Sequence, residues 1–222
     1  MLGTAIGHIL APAVGVAISP AALIAIIALL TGPRARTNGV VFVVTWILAL
    51  AIEVAILLLA AGWAGASHGE QPGPWVGWVK IVIGLAALTM AATQVRHAIR
   101  PAAEPHPIGE PTASPTGTAS LAATLALANP KNLTQVATAA VIIASVTPGH
   151  GSRVIAAVVF LAVASLCVTL PMAVYLLAGQ HARERLTRWR DWANTSATAM
   201  MAVLLTVLGT ASIGGGIATL TS

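Results

Sequence analysis

Six times along this sequence there is an apolar run long enough to cross a bilayer, which takes about 20 residues. The runs cover residues 5–31, 39–63, 75–96, 119–146, 153–179 and 193–213. Hydrocarbon offers a peptide group no hydrogen-bond partner, so each run must satisfy its backbone internally and is read as a helix. Charged residues make up only 8% of the 222 positions, against roughly 25% in a soluble domain. Lipid therefore replaces water as the main solvent, and the fold class is an all-α membrane protein with six transmembrane helices. Abundant Ala, with Gly and Ser between, suits close packing where no hydrophobic force draws helices together.

The connecting segments set direction. Arg34 and Arg36 follow the first span, Arg96 and Arg100 the third, and Arg183, Arg185, Arg188 and Arg190 the fifth. The opposite side carries Arg153, with Lys80 just inside span three. The positive-inside rule then predicts a multi-pass protein of the plasma (inner) membrane with both termini outside. Trp63, Trp75 and Trp78 fall at the outer edge and Trp189 and Trp192 at the inner edge, as interfacial belts do. The first basic residue is Arg34, so the first span lacks the charged start of a signal peptide and is expected to be kept. The basic residues are not interleaved with stacking aromatics, which argues against nucleic-acid binding. The single cysteine, Cys167, permits no internal disulfide and reads as a small buried hydrophobe. His106 and Glu110 match no metal-ligand spacing, and no cofactor motif is found.

A proline-rich stretch, 101–118, separates two segments of similar length and reads as a flexible cytoplasmic linker. The chain thus divides into a first three-helix repeat, 1–100, the linker, and a second three-helix repeat, 119–222. "VGVAISPAALIAIIALLTGPRARTNGVVFVV" in the first and "ATLALANPKNLTQVATAAVIIASVTPGHGSRVIAAVVFLAV" in the second share one pattern. A polar residue and a proline precede an apolar run, a Pro/Gly turn with arginine, and then "VVF"; the two prolines, Pro20 and Pro130, are 110 positions apart. Three spans per half is an odd number, so the second half must be inverted relative to the first, as in many transporters.

The chemistry concentrates at those prolines. Ser19 and Asn129 are good N-cap residues, and Pro20 and Pro130 suit the first helical position. Helices one and four are therefore predicted to be broken at Ser-Pro and Asn-Pro, each restarting near the bilayer midplane. Each restart carries a partial positive charge of roughly +0.5, and inversion brings the two ends toward a common centre. Lys131 adds a full charge. A centre of that kind favours an anion, and Ser19, Pro20, Asn129, Pro130, Lys131, Asn132 and Gln135 are the candidate substrate-binding residues. Thr134 and Thr138 would extend a wet stripe along span four, and Ser165 and Thr169 lie on one face of span five. Glu53, deep in span two, costs at least ~2.5–3.5 kcal/mol to insert as a charge. It pairs with Lys80 or serves as a protonatable coupling carboxylate.

"ISPAALIAIIALLTGPRARTNGVVFVVTW" and "LANPKNL" resemble the small actinobacterial family named for glycopeptidolipid and sulfolipid addressing, which looks like a branch of the lysine exporter superfamily. Ser19, Pro20, Gly32, Pro33 and Arg36 match the first motif, and Asn129, Pro130, Lys131 and Asn132 the second. The resemblance implies six spans in two inverted repeats and a role in moving cell-envelope lipids across the inner membrane. The superfamily's thiol electron carriers need two membrane cysteines and are excluded.

The expected function is therefore that of a non-enzymatic membrane transporter, which exports or flips an anionic cell-envelope lipid or glycolipid. Such a lipid is large for 222 residues, which calls for a lateral opening or a homodimer. The sequence leaves two alternatives: an exporter of a small amino acid or other small anion or zwitterion, and a non-transporting anchor for a lipid-biosynthetic partner held by the arginine-rich segment 181–192.

Overall fold

The computed structural model describes residues 2–63, 74–99, 114–147 and 149–221. Among them every regular element is a helix. In chain order these are α1 (Leu2–Ala17), α2 (Pro20–Leu30), α3 (Ala35–Trp63), α4 (Pro74–Ile99), α5 (Pro115–Leu127), α6 (Pro130–Val146), α7 (His150–Ala164), α8 (Leu166–Leu177) and, after a short 3-10 turn, α9 (Ala182–Thr221). Two of these are long and apolar enough to span a membrane, over Ala35–Ala61 and Ala182–Ala218, and up to four spans result if each bent pair of helices counts as one. Linker residues 100–113, with His106 and Glu110, lie outside the described residues, and Pro115–Thr118 form the first turn of α5.

The chain forms two compact units. The first holds α1–α3, α5–α8 and α9 as far as Thr195. Within it α3 packs on α5 and α6, α1 on α6 and α7, and α2 on α8 and α3. Ile9, Ile26, Phe42, Trp46, Ile143 and Phe160 form the heart of its core. Phe42 and Trp46, one helical turn apart, stack with ring centroids 6.3 Å apart. On the other side of α3, Leu48, Ile52, Ile56 and Leu59 are exposed at the helical spacing of one continuous face. An apolar stripe left open in this way is what a lipid-facing helix presents.

The second unit consists, among the described residues, of α4 and α9 from Ser196 onward. The two run antiparallel, and glycines set their separation. A Cβ at Gly84 would lie 2.7 Å from the Gly209 carbonyl oxygen, and one at Gly216 would lie 2.7 Å from that of Gly77. Only glycine at these crossings allows backbones so close, and that proximity supplies the dispersion contacts on which helix association in lipid depends.

Two expectations need correction. Span five is not one helix: α7 and α8 meet at Ser165 with a 62° bend. The Thr169 hydroxyl donates to the Ser165 carbonyl at 3.0 Å, a side-chain bond of the kind that bends helices, and Pro171 within α8 removes a backbone donor. Second, the arginine-rich segment is not a loop. It opens the 40-residue α9, because Ala182, Leu186 and Ala193 are buried along one face and Glu184 and Arg188 sit at the favourable i, i+4 spacing. Trp189 and Trp192 are exposed.

Candidate functional site

The backbone breaks where Ser19-Pro20 and Asn129-Pro130 predict it. α1 and α2 meet at 57°, with Ser19 extended (φ −126°, ψ 92°) and Pro20 opening α2. Asn129 is likewise extended, and Pro130 opens α6. The caps differ in detail. The Asn129 Oδ1 accepts from the Lys131 backbone N–H at 3.1 Å, whereas Ser19 makes no side-chain cap bond.

A helix that stops inside a membrane leaves carbonyls that no water can reach, and two side chains of the first turn of α6 take them up. The Lys131 Nζ donates to the carbonyls of Gly15 and Ile18, each at 2.7 Å. Two other α1 carbonyls near the break are met locally, Val14 by the Ile18 N–H and Ala17 by the Ser19 N–H. The Asn132 Nδ2 donates to Leu125 and Ala126, at 3.3 and 3.2 Å, at the end of α5. The first turn of α6 thus terminates both α1 and α5. The ammonium charge sits against the negative end of the α1 dipole, the favourable arrangement. Ser19, Lys131, Asn132 and Gln135 are all buried. Gly15 makes room for Gln135, since a Cβ there would lie 3.0 Å from the Gln135 Cδ and Oε1.

The structure therefore brings Ser19, Lys131, Asn132 and Gln135 to one place and leaves binding capacity there. An ammonium has three donors, and two are engaged by the described residues. Asn132 Oδ1 is buried without a hydrogen-bond partner among the described residues, as is Ser165 Oγ at the α7–α8 bend, which no contact ties to this centre. The wet stripe is narrower than expected. Thr134 and Thr138 lie off the buried face of α6, and their hydroxyls donate to the carbonyls of Pro130 and Thr134 in their own helix.

Glu53 is buried on α3, and neither carboxylate oxygen has a hydrogen-bond partner among the described residues. The Lys80 side chain lies outside the described residues, and with it the expected Glu53–Lys80 pair. Trp46 Nε1, two turns before Glu53 on the same helix, and Thr118 Oγ1 on α5 are also buried and unbonded among the described residues. Gly15, Trp46 and Thr118 did not stand out in the sequence. The one signal was Gly15 lying one turn ahead of the Ser19 break.

A family model described as Sap, sulfolipid-1-addressing protein, matches residues 9–218 of the chain. No curated protein and no solved structure matches it.

Proposed function

The chain belongs to the sulfolipid-1-addressing protein family, and from that premise we propose that it is a transporter that exports or flips an anionic cell-envelope lipid or glycolipid across the inner membrane. The observation that carries this reading is the Lys131 ammonium held on the Gly15 and Ile18 carbonyls at 2.7 Å. It ties two helix breaks to one buried cation with a donor that no described residue takes. An anionic head group arriving beside Ser19 and Pro20 of α2, and beside Asn129, Pro130, Asn132 and Gln135 of α6, competes with those carbonyls for Lys131. Binding then loosens the end of α1, so the same residue that recognises charge also releases a helix. The acyl chains remain in the bilayer, reached through a lateral opening or between the protomers of a homodimer.

The proposal includes six spans arranged as two inverted three-helix repeats, as in the lysine exporter superfamily, with both termini outside. Part of the packing supports it. Exchanging α1, α2 and α3 for α5, α6 and the α7–α8 pair turns the α3–α5 contact into the α7–α1 contact and α3–α6 into α8–α2, while the extensive α1–α6 contact has only a slight counterpart in α5–α2. Glu53, buried and unbonded among the described residues, is proposed as the carboxylate that couples export to the proton gradient.

Lipid profiling of a deletion strain tests the function. One surface lipid is expected to disappear from the envelope and accumulate inside. Wild-type protein restores it, and a Lys131→Ala variant present in the membrane at the same level does not. An unchanged lipid profile with new sensitivity to an amino acid would transfer the reading to a small-solute exporter. In vesicles, Glu53→Gln is expected to abolish the pH dependence of transport; retained dependence removes Glu53 from the coupling step.

A further inference from the structure

We infer that the protein holds a second anionic group, the phosphate of a membrane phospholipid, in a cleft at the opposite end of α2 from the helix break. The cleft has a volume of about 220 Å³, and Thr31, Gly32, Tyr175, Gly179, Arg183 and Leu186 are among the residues that line it. α2 is 11 residues long, which at 1.5 Å per residue separates this cleft from the Ser19 break by about 15 Å. It is therefore a different site from the centre at Lys131, and its occupancy does not depend on transport.

Three features define the occupant. The first is charge. Arg34 and Arg36 leave the turn that forms one wall, Arg183, Arg185, Arg188 and Arg190 occupy the helix that forms another, and all six are exposed. His181, Glu184 and Asp191 are the other titratable groups of this segment, so the two carboxylates are outnumbered three to one. The second is unused hydrogen-bonding capacity. The Arg183 Nη2 reaches the Thr31 carbonyl at 3.4 Å, a long bond that leaves most of the guanidinium's five donors available for the bidentate grip suited to phosphate. The Tyr175 hydroxyl makes no hydrogen bond to the described residues. By contrast, the wall's own backbone is spent, since the Thr31 and Gly32 N–H groups donate to Ile27 and Leu29. The third is the apolar floor: Leu30, Ala182 and Leu186 are buried beneath the basic rim. A basic rim over an apolar floor fits an amphiphile whose phosphate stays at the interface while its glycerol and first methylenes go under, and it fits a free anion poorly. Gly179, at φ +53°, is the left-handed residue of the turn between α8 and α9 and lines the cleft itself.

The test uses the full-length protein in phosphatidylcholine nanodiscs, titrated with phosphatidylglycerol and followed by native mass spectrometry. Phosphatidylglycerol is expected to bind in preference to phosphatidylcholine. Arg183→Gln should weaken that binding about tenfold, equal to 1.4 kcal/mol, and Tyr175→Phe by a smaller factor. Arg190→Gln, which removes the same charge away from the cleft, should change it less than about twofold. Inorganic phosphate at millimolar concentration should not compete. Should Arg183→Gln fail to fold, Arg183→Lys keeps the charge, loses the fork, and should still weaken binding. Equal losses in the Arg183 and Arg190 variants would reduce the site to a diffuse basic belt. Competition by inorganic phosphate would make it a free-anion pocket, and the absence of a lipid preference would remove it altogether.

Discussion

Lys131 shows how one side chain can answer two problems that lipid creates. A buried ammonium is expensive alone, and so is an interrupted helix end, yet each supplies what the other lacks. Replacing Lys131 by Met leaves the Gly15 and Ile18 carbonyls unbonded. Bonds from a charged donor contribute about 1.5–3 kcal/mol each, so a loss of about 3 kcal/mol is expected in reversible unfolding from mixed micelles. A change below about 1 kcal/mol would mean that the carbonyls find other partners. Gly15 and Gln135 form a second pair at the same point. Gly15→Ala should be destabilising alone and largely tolerated beside Gln135→Ala, with a coupling of about 1 kcal/mol in a double-mutant cycle; strict additivity would show that the two do not touch.

Among the helices, the two restarts look alike in sequence but differ in how they are capped. Asn129 accepts a backbone hydrogen bond, and its replacement by Ala should cost about 1 kcal/mol. Ser19 makes no such bond, so Ser19→Ala should stay within about 0.5 kcal/mol; equal costs in thermal unfolding would contradict the assigned caps. The α4–α9 pair makes an opposite demand. Gly84→Ala sets a methyl 2.7 Å from a backbone oxygen and must push the helices apart, while Gly214 has nothing within 4 Å of an added Cβ. The first substitution should cost at least about 2 kcal/mol, and Gly214→Ala should be neutral or favourable, because alanine is the better helix former.

Both breaks at Pro20 and Pro130 were legible because proline after an N-cap residue has a fixed local meaning, independent of the rest of the fold. The bend at Ser165 was not, since it depends on a threonine whose hydroxyl, bonded to the Ser165 carbonyl, could equally have bonded in a straight helix. The destination of Lys131 was half legible. Its charge marked the centre, but only the packing of α6 on α1 shows that it grips carbonyls. Gly77, Gly84, Gly209 and Gly216 read as generic small residues until their pairing across two distant segments was known.

For the whole molecule the length of α9 sets a constraint. Its 40 residues are about twice the 20 that a hydrocarbon core takes. The arginine-bearing start therefore has to lie outside the core. The proposed orientation can be read with cysteines introduced into a Cys167→Ser background. An impermeant maleimide should label Thr221→Cys in intact cells and Thr187→Cys only after lysis, and the reverse pattern would invert the topology.

The Lys131 bonds close over 116 and 113 residues of chain. Synthesis proceeds from the N-terminus, so α1 enters the bilayer long before the residue that completes it has been made. Until then its last turn must borrow partners, from interfacial water or from the insertion machinery. A chain truncated before Lys131 should accordingly remain associated with that machinery, while one extended through α6 is released.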